Sequence, residues 1–301
     1  MLEPPSYVTD AEVLATLRDH WDRDSTDLVH LPVGFGAHHW QASGSRQDWF
    51  VTLDALLPRH TAKSLEAAYA GAAALSAGGL EFVVAACPTV EGGYTVPLAS
   101  GSLSVTPWRE GTPGNGSMPT ARAAATRDWL DRLHSATTPP GLPRWRPLVG
   151  VDLADELAVR TGGPWESGPH GERARTAMRS KLREIEAWAA AYHRLAAHAD
   201  ERRWVATHGE PNSRNQLDTA EGTLLVDWES LKLAPRERDL RTLVVAGHAQ
   251  PDGDPDMLEM FDLEWRLDEI SAYATWFESP HAGTDDDRIA LGGLLSELER
   301  A

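Results

Sequence analysis

The 301-residue sequence predicts an α+β fold of two lobes, an N-terminal antiparallel-sheet lobe and a mainly helical C-terminal lobe. Three observations carry this. Strand-like runs broken by Gly and Pro crowd residues 27–107, helical spacing of apolar residues dominates from 119 onward, and the junction Val105-Thr106-Pro107-Trp108-Arg109-Glu110-Gly111 has the Pro and Gly content of a linker. We therefore set the lobes at 1–106 and 107–301, with a helical insert at about 145–200. With 42% hydrophobic residues the chain can bury a full core.

Residues 8–23 open on Thr9 or Asp10 as N-cap and continue with Val13, Leu14, Leu17 and Trp21 at helical spacing. Residues 27–57 read as strands interrupted by the turn LPVGFGAHHW, and 61–77 as a helix ended by Gly78-Gly79. LEFVVAACPTV and GYTVPLASGSLSVTPW read as further strands. Beyond the junction, 119–136, 151–160 and 172–199 carry helical patterns, the last read as one long helix.

Net charge is −17, from 28 basic and 45 acidic residues, which argues against nucleic acid as a partner and suits a cationic small molecule. An acidic N-terminal segment and the absence of any run of ~18 apolar residues give no support to secretion or membrane spanning. The single Cys87 excludes an internal disulfide framework and suits a reducing cytoplasm.

The segment THGEPNSRNQLDTAEGTLLVDWE, 207–229, is the most informative. His208, Gly209 and Glu210 are followed after four residues by Asn215, and after the apolar run Leu224-Leu225-Val226 by Asp227. That is the order of base, metal-binding Asn and metal-binding Asp in a kinase catalytic loop. Phosphoryl transfer asks for a carboxylate to orient the attacking hydroxyl and for hard oxygen ligands to magnesium. Glu210 is the candidate acceptor, Asn215 and Asp227 the candidate metal ligands. A zinc reading of His208-Gly209-Glu210 fails, since deaminase chemistry requires a downstream Cys pair.

The segment resembles the signature of the aminoglycoside phosphotransferase and choline-kinase-like family, protein-kinase-like kinases of small molecules. The match covers His208, Gly209, Asn215, Asp227, Trp228 and Glu229; it departs at Glu210, where the family usually has Asp. Leu133-His134-Ser135-Ala136-Thr137 and Ala234-Pro235-Arg236-Glu237-Arg238-Asp239-Leu240 resemble two further family phrases, and the resemblance makes Asp239 a brace for the loop. It implies a bilobal protein-kinase-like fold, ATP or GTP as co-substrate with Mg2+, and a hydroxyl-bearing acceptor, an antibiotic such as an aminoglycoside or a nucleoside- or sugar-containing compound.

By that resemblance Gly34 and Gly36 close over the phosphates, Pro107 and Trp108 form the hinge that receives the base, and His208 holds the loop. Thr52 stands where the family's third strand has a phosphate-binding Lys; Lys63, Arg59 or the His38-His39 pair are candidates to replace it. Asn212 occupies the loop position of another phosphate-contacting Lys, and Arg214 supplies a guanidinium matched to phosphate oxygens. Trp145, Trp165 and Trp188, from a total of twelve Trp, and the acidic run 252–269 are candidates for acceptor binding. Two competing expectations are a pseudokinase-like protein that holds a nucleotide or drug without turnover, and a kinase of a choline- or sugar-like metabolite.

Overall fold

The computed structural model describes residues 1–301 except Pro58, Pro251 and Ala301. Helix α1 (Asp10–His20) starts at a capping box in which Thr9 and Glu12 satisfy each other's backbone amides. Strands β1 (Leu28–Leu31), β2 (Ala37–Ala42) and β3 (Trp49–Ala55) follow, then α2 (Ala62–Ala77) behind an N-cap at Thr61. Next come β4 (Val96–Leu98), β5 (Gly101–Pro107), the short β6 (Thr112–Pro113) and α3 (Thr120–Ser135). Helices α4 (Leu153–Arg160), α5 (Gly171–Ser180) and α6 (Leu182–Ala196) precede β7 (Val205–Thr207), β8 (Gln216–Thr219), β9 (Gly222–Leu225) and β10 (Lys232–Ala234). The chain closes with α7 (Glu237–Val245), α8 (Pro255–Glu278) and α9 (Asp285–Glu299). No helix among the described residues is long and apolar enough to cross a membrane.

Two compact units result. The first comprises Met1–Trp145 and Glu201–Pro251, the second Arg146–Asp200 and Asp252–Ala301. In the first, an antiparallel sheet of order β1-β2-β3-β5-β4 is accompanied by the pair β10-β7 and the three strands β6-β8-β9. Alternation sorts its side chains: Trp40, Ala42, Val51, Leu53, Leu103 and Val105 join Val13 and Leu17 of α1 in one core. Indole N–H groups fasten α1 to the sheet, Trp40 to Asp10 at 2.9 Å and Trp49 to Asp22 just beyond the helix at 3.0 Å. The opposite face of β3 carries Thr52 and Asp54, and Tyr69 of α2 reaches it, donating to Asp54 at 2.7 Å.

The second unit is helical. Tyr192 of α6 donates to Glu264 of α8, and the Arg266 guanidinium lies 4.4 Å from the centre of the Trp188 ring. Trp165 is buried, with its indole N–H on the Arg160 carbonyl.

Two expectations are corrected. The strand expected at Leu80–Val90 instead begins in a turn, with Val83 N–H on the Leu80 carbonyl, and makes an isolated bridge from Val83 to Leu225; further backbone bonds join Phe82 and Val84 to the end of β9 and Cys87 to the Val105 carbonyl of β5. The helix expected over 172–199 is broken at Lys181, because the Ser180 hydroxyl bonds back to the Ala177 carbonyl and Lys181 N–H tightens onto Met178. The α+β class with a leading antiparallel sheet stands as expected.

Candidate active site

Every residue singled out in 207–229 falls in the first unit, and the loop is assembled by its own backbone. His208 is fully buried. Its Nδ1 accepts the Glu210 amide at 3.2 Å, and its Nε2–H donates to the Val226 carbonyl at 2.9 Å. Those partners require a neutral ring with the proton on Nε2, and burial depresses the pKa in agreement. The imidazole thus ties the residue that carries the candidate acceptor to the one preceding the candidate metal ligand.

Glu210 is pinned at both ends of its peptide unit, because its carbonyl accepts the Asn215 side-chain amide at 2.9 Å. With Nδ2 so committed, Asn215 offers Oδ1 as its ligand atom. Asn215 also accepts the Val226 amide on its carbonyl at 2.9 Å, which sets Asp227 beside it. Asp227 is an exposed non-glycine residue at φ +70, a conformation that costs on the order of 1 kcal/mol and is held by Val226 on one side and buried Trp228 on the other.

Below the loop, buried Asp239 accepts from the amides of His208 at 3.1 Å and Gly209 at 2.6 Å, and pairs with His134 of α3 at 2.9 Å. Burial pushes its pKa up, but the His134 hydrogen bond and the charges of His134 and Arg238 outweigh that and hold it below the usual aspartate range. Gly209, at φ +104, has Arg238 so close that a Cβ would collide with the guanidinium. Gln216, flanking the loop, bonds Pro211 and Thr126 and accepts from Arg122.

Around Asp227 the structure gathers further carboxylates. Asp54 is raised to about 7, mainly by burial and partly by the charge of Asp227. Glu229 is raised well above its ordinary value by burial first, then by Asp227, Glu210 and Asp54, and its Oε2 is buried with no hydrogen-bond partner. An orphaned carboxylate oxygen in a field of like charges fits a divalent cation held by the hard oxygen donors Asn215 and Asp227. Among the described residues no group of three His, Cys, Asp or Glu side chains is arranged to hold a metal ion.

The other predicted residues are placed as follows. Gly34 and Gly36 sit at φ +71 and +101 in the turn between β1 and β2, with the Met1 amino group on the carbonyls of Val33, Gly34 and Ala37. Pro107 ends β5 opposite Trp49, and Trp108 N–H bonds the Asp48 carbonyl. Asn212 caps the short turn 213–215 by accepting the Arg214 amide at 2.9 Å. The Arg214 guanidinium lies against Gly116, and Lys63 is exposed in the first turn of α2. Trp145 is buried edge-on to Trp204. Arg59 is exposed, whereas His39 is buried.

Sequence reasoning overlooked Asp54, Tyr69 and Gln216. Asp54 carried a signal, being two residues beyond Thr52 and so on the same face of β3. Tyr69 and Gln216 carried none.

A sequence profile of the phosphotransferase enzyme family matches residues 27–276. The chain belongs to this family. Protein StrN of Streptomyces griseus is 31% identical over 293 residues, covering 90% of this chain and 86% of its own. Among solved structures, a spectinomycin phosphotransferase in complex with ADP and spectinomycin superposes with a TM-score of 0.73 at 14% identity, over 98% of this chain and 95% of that one. A microcompartment-associated aminopropanol kinase gives 0.62 at 13% identity, over 96% and 95%. At these identities the likeness shows the protein-kinase-like fold. This phosphotransferase is an ATP-dependent enzyme with an alcohol group as acceptor.

Proposed function

We propose that the phosphotransferase moves the γ-phosphate of ATP or GTP to a hydroxyl of an antibiotic, an aminoglycoside or another amino- or sugar-containing compound, as resistance or self-protection. The observation that carries the reading is the loop itself, in which Glu210 is fixed through both its amide and its carbonyl while Asn215 and Asp227 are joined by the Val226–Asn215 hydrogen bond. Glu210 accepts the hydrogen of the attacking hydroxyl and orients its oxygen. Asn215 Oδ1 and the Asp227 carboxylate hold magnesium, and His208 keeps the loop in register. Magnesium supplies, when bound, the charge that neutralises the transferring phosphate.

Gly34 and Gly36 offer amides to the phosphates from above, in a turn whose positive φ angles suit glycine. Pro107 and Trp108 present main chain to the base, and Asn212, Arg214 and Lys63 complete the polar surround. The lobes of the reading are 1–106 and 107–301, and the cytoplasm, where the nucleotide is, is its place. Support for the acceptor class comes from the spectinomycin phosphotransferase, from a hygromycin B complex of similar fold, and from the net charge of −17, which favours ammonium-bearing molecules.

The test is a transfer assay read by mass spectrometry with ATP, GTP and magnesium against spectinomycin, hygromycin B, other aminoglycosides, choline and aminopropanol. Phosphorylation of an antibiotic alone supports the reading. Turnover confined to choline or aminopropanol replaces it with a metabolite kinase, and magnesium-dependent nucleotide binding with no transfer to any of them leaves the non-catalytic alternative.

A further inference from the structure

We propose that His39, oriented by Thr52, is the side chain that contacts the nucleotide phosphates from the sheet, in the place where kinases use a lysine on the third strand. The proposal rests on the reading of 207–229 as a phosphoryl-transfer loop.

Register brings the two residues together. His39 of β2 is the direct cross-strand partner of Thr52 of β3, and its Nδ1 lies 3.2 Å from the Thr52 hydroxyl. Threonine is stiff about its first side-chain torsion, so the hydroxyl is a fixed partner. With Thr52 donating to Nδ1, the ring proton sits on Nε2 and makes that atom a donor. The Phe50 ring, 5.0 Å away, supports the imidazole from the same face of β3.

Nε2 is aimed at the glycine turn. A Cβ built on Gly34 would come within 3.0 Å of it, so glycine at this position lets the turn backbone approach Nε2 closely. Among the described residues nothing hydrogen-bonds Nε2, although the residue is only 8% exposed. Nε2 is not sealed from solvent, so a phosphate oxygen arriving at the turn can replace water as its acceptor. The neighbouring His38 faces the other way, packed with Tyr7, His30 and Trp40.

Electrostatics agree with the position. The His39 pKa is depressed to about 4, chiefly by burial; Asp227 pulls it up, and the Met1 amino group, His38 and His30 push it down. Those are the charged groups facing it from the turn, from β1 and β2, and from the loop after β9. The ring is therefore within the field of the candidate metal ligand and neutral in the empty protein; an incoming phosphate adds the negative charge that favours the imidazolium. Lys63 and Arg59, by contrast, are exposed.

Calorimetric titration with ATP and with adenosine, in magnesium, separates phosphate recognition from base recognition. His39→Ala should weaken ATP about tenfold, the worth of one charge-assisted hydrogen bond, and leave adenosine unchanged. Adding Thr52→Lys to that variant should restore ATP affinity by supplying the strand cation. Thr52→Val, a milder change, should weaken ATP about threefold with adenosine again unaffected.

An ATP affinity unchanged in His39→Ala overturns the proposal, as does an equal loss for ATP and adenosine, which would mark His39 as packing only. Asp227→Asn keeps this outcome distinct from failure of the underlying reading. If that variant binds ATP as the parent does with the same need for magnesium, the loop assignment falls while the His39 result stands. A parent that binds neither ATP nor GTP overturns both.

Discussion

Glu210 carries one methylene more than the aspartate usual in this family, and its main chain is immobilised at both sides, so the extra length must be absorbed in the side chain. Replacing it by Gln removes the acceptor charge and should lower kcat about 100-fold or more with little change in nucleotide affinity; Glu210→Asp should retain activity. Asp227→Asn should abolish transfer and leave the melting temperature within a few degrees of the parent, as steady-state kinetics and scanning calorimetry would show. An active Asp227→Asn enzyme would refute the metal assignment. Asp54 offers a test by pH. Its folded pKa of about 7 lies above the unfolded value of about 3.9, so its contribution to stability is full below pH 4 and is lost as pH rises to 7. Asp54→Asn, which keeps an acceptor for Tyr69, should flatten that slope and stabilise the protein at pH 8 by on the order of 2 kcal/mol, measured by denaturant unfolding in chelator. The linear order of His208, Glu210, Asn215 and Asp227 is what marks these residues as a candidate site in the sequence. His39 and Asp54 were harder to assign, since their relevance depends on which strand face they occupy and what lies across the sheet.

At the scale of elements, the candidate catalytic segment is a turn clamped between α3, α7 and the short strands. Asp239 at the start of α7 accepts from two loop amides and meets His134 at the end of α3, so Asp239→Ala leaves buried donors unpaired. We expect a loss of about 3–5 kcal/mol in denaturant unfolding, against less than half of that for Asp239→Asn, which keeps one acceptor oxygen. Gly114 tests the other side. Its Cβ would run into the Ser213 carbonyl oxygen, a backbone atom, so Gly114→Ala must displace the 213–215 turn and should depress kcat more than it lowers stability. Helices were legible from apolar spacing and, at Thr9, from the cap, whereas the Thr61 cap appears only in the structure. The break at Lys181 was not, because Met178, Ile185, Ala189 and Tyr192 keep one helical stripe across it while the Ser180 back-bond acts locally. Leu80–Val90 misled for a similar reason: most of its apolar residues are buried, as a strand's would be, yet its backbone meets β9 at one isolated bridge and β5 at the single Cys87–Val105 bond instead of pairing in a ladder.

The molecule as a whole carries a net charge of −17, and a field of that sign acts on acceptors before they reach the loop. For a polycationic acceptor kcat/KM should fall several-fold as salt rises from about 50 to about 500 mM, while a neutral alcohol acceptor should show no such dependence. Equal salt responses would exclude electrostatic capture. The division into two units had no counterpart in composition, because the second unit is built from segments on either side of the catalytic loop, and a linear scan cannot see that 146–200 and 252–301 share a core.

The bonds from His208 and Gly209 to Asp239 have one more consequence. Amide hydrogens held by a buried carboxylate exchange with deuterium only when that part of the molecule opens, so these two should be among the slowest in the first unit, with or without nucleotide. In the glycine turn the Gly36 amide meets the Met1 sulfur at 3.4 Å, a weak acceptor at an exposed position, and should slow its exchange only when phosphate arrives. Deuterium uptake followed by mass spectrometry would then divide the site into a half that is finished at folding and a half that is finished by the substrate.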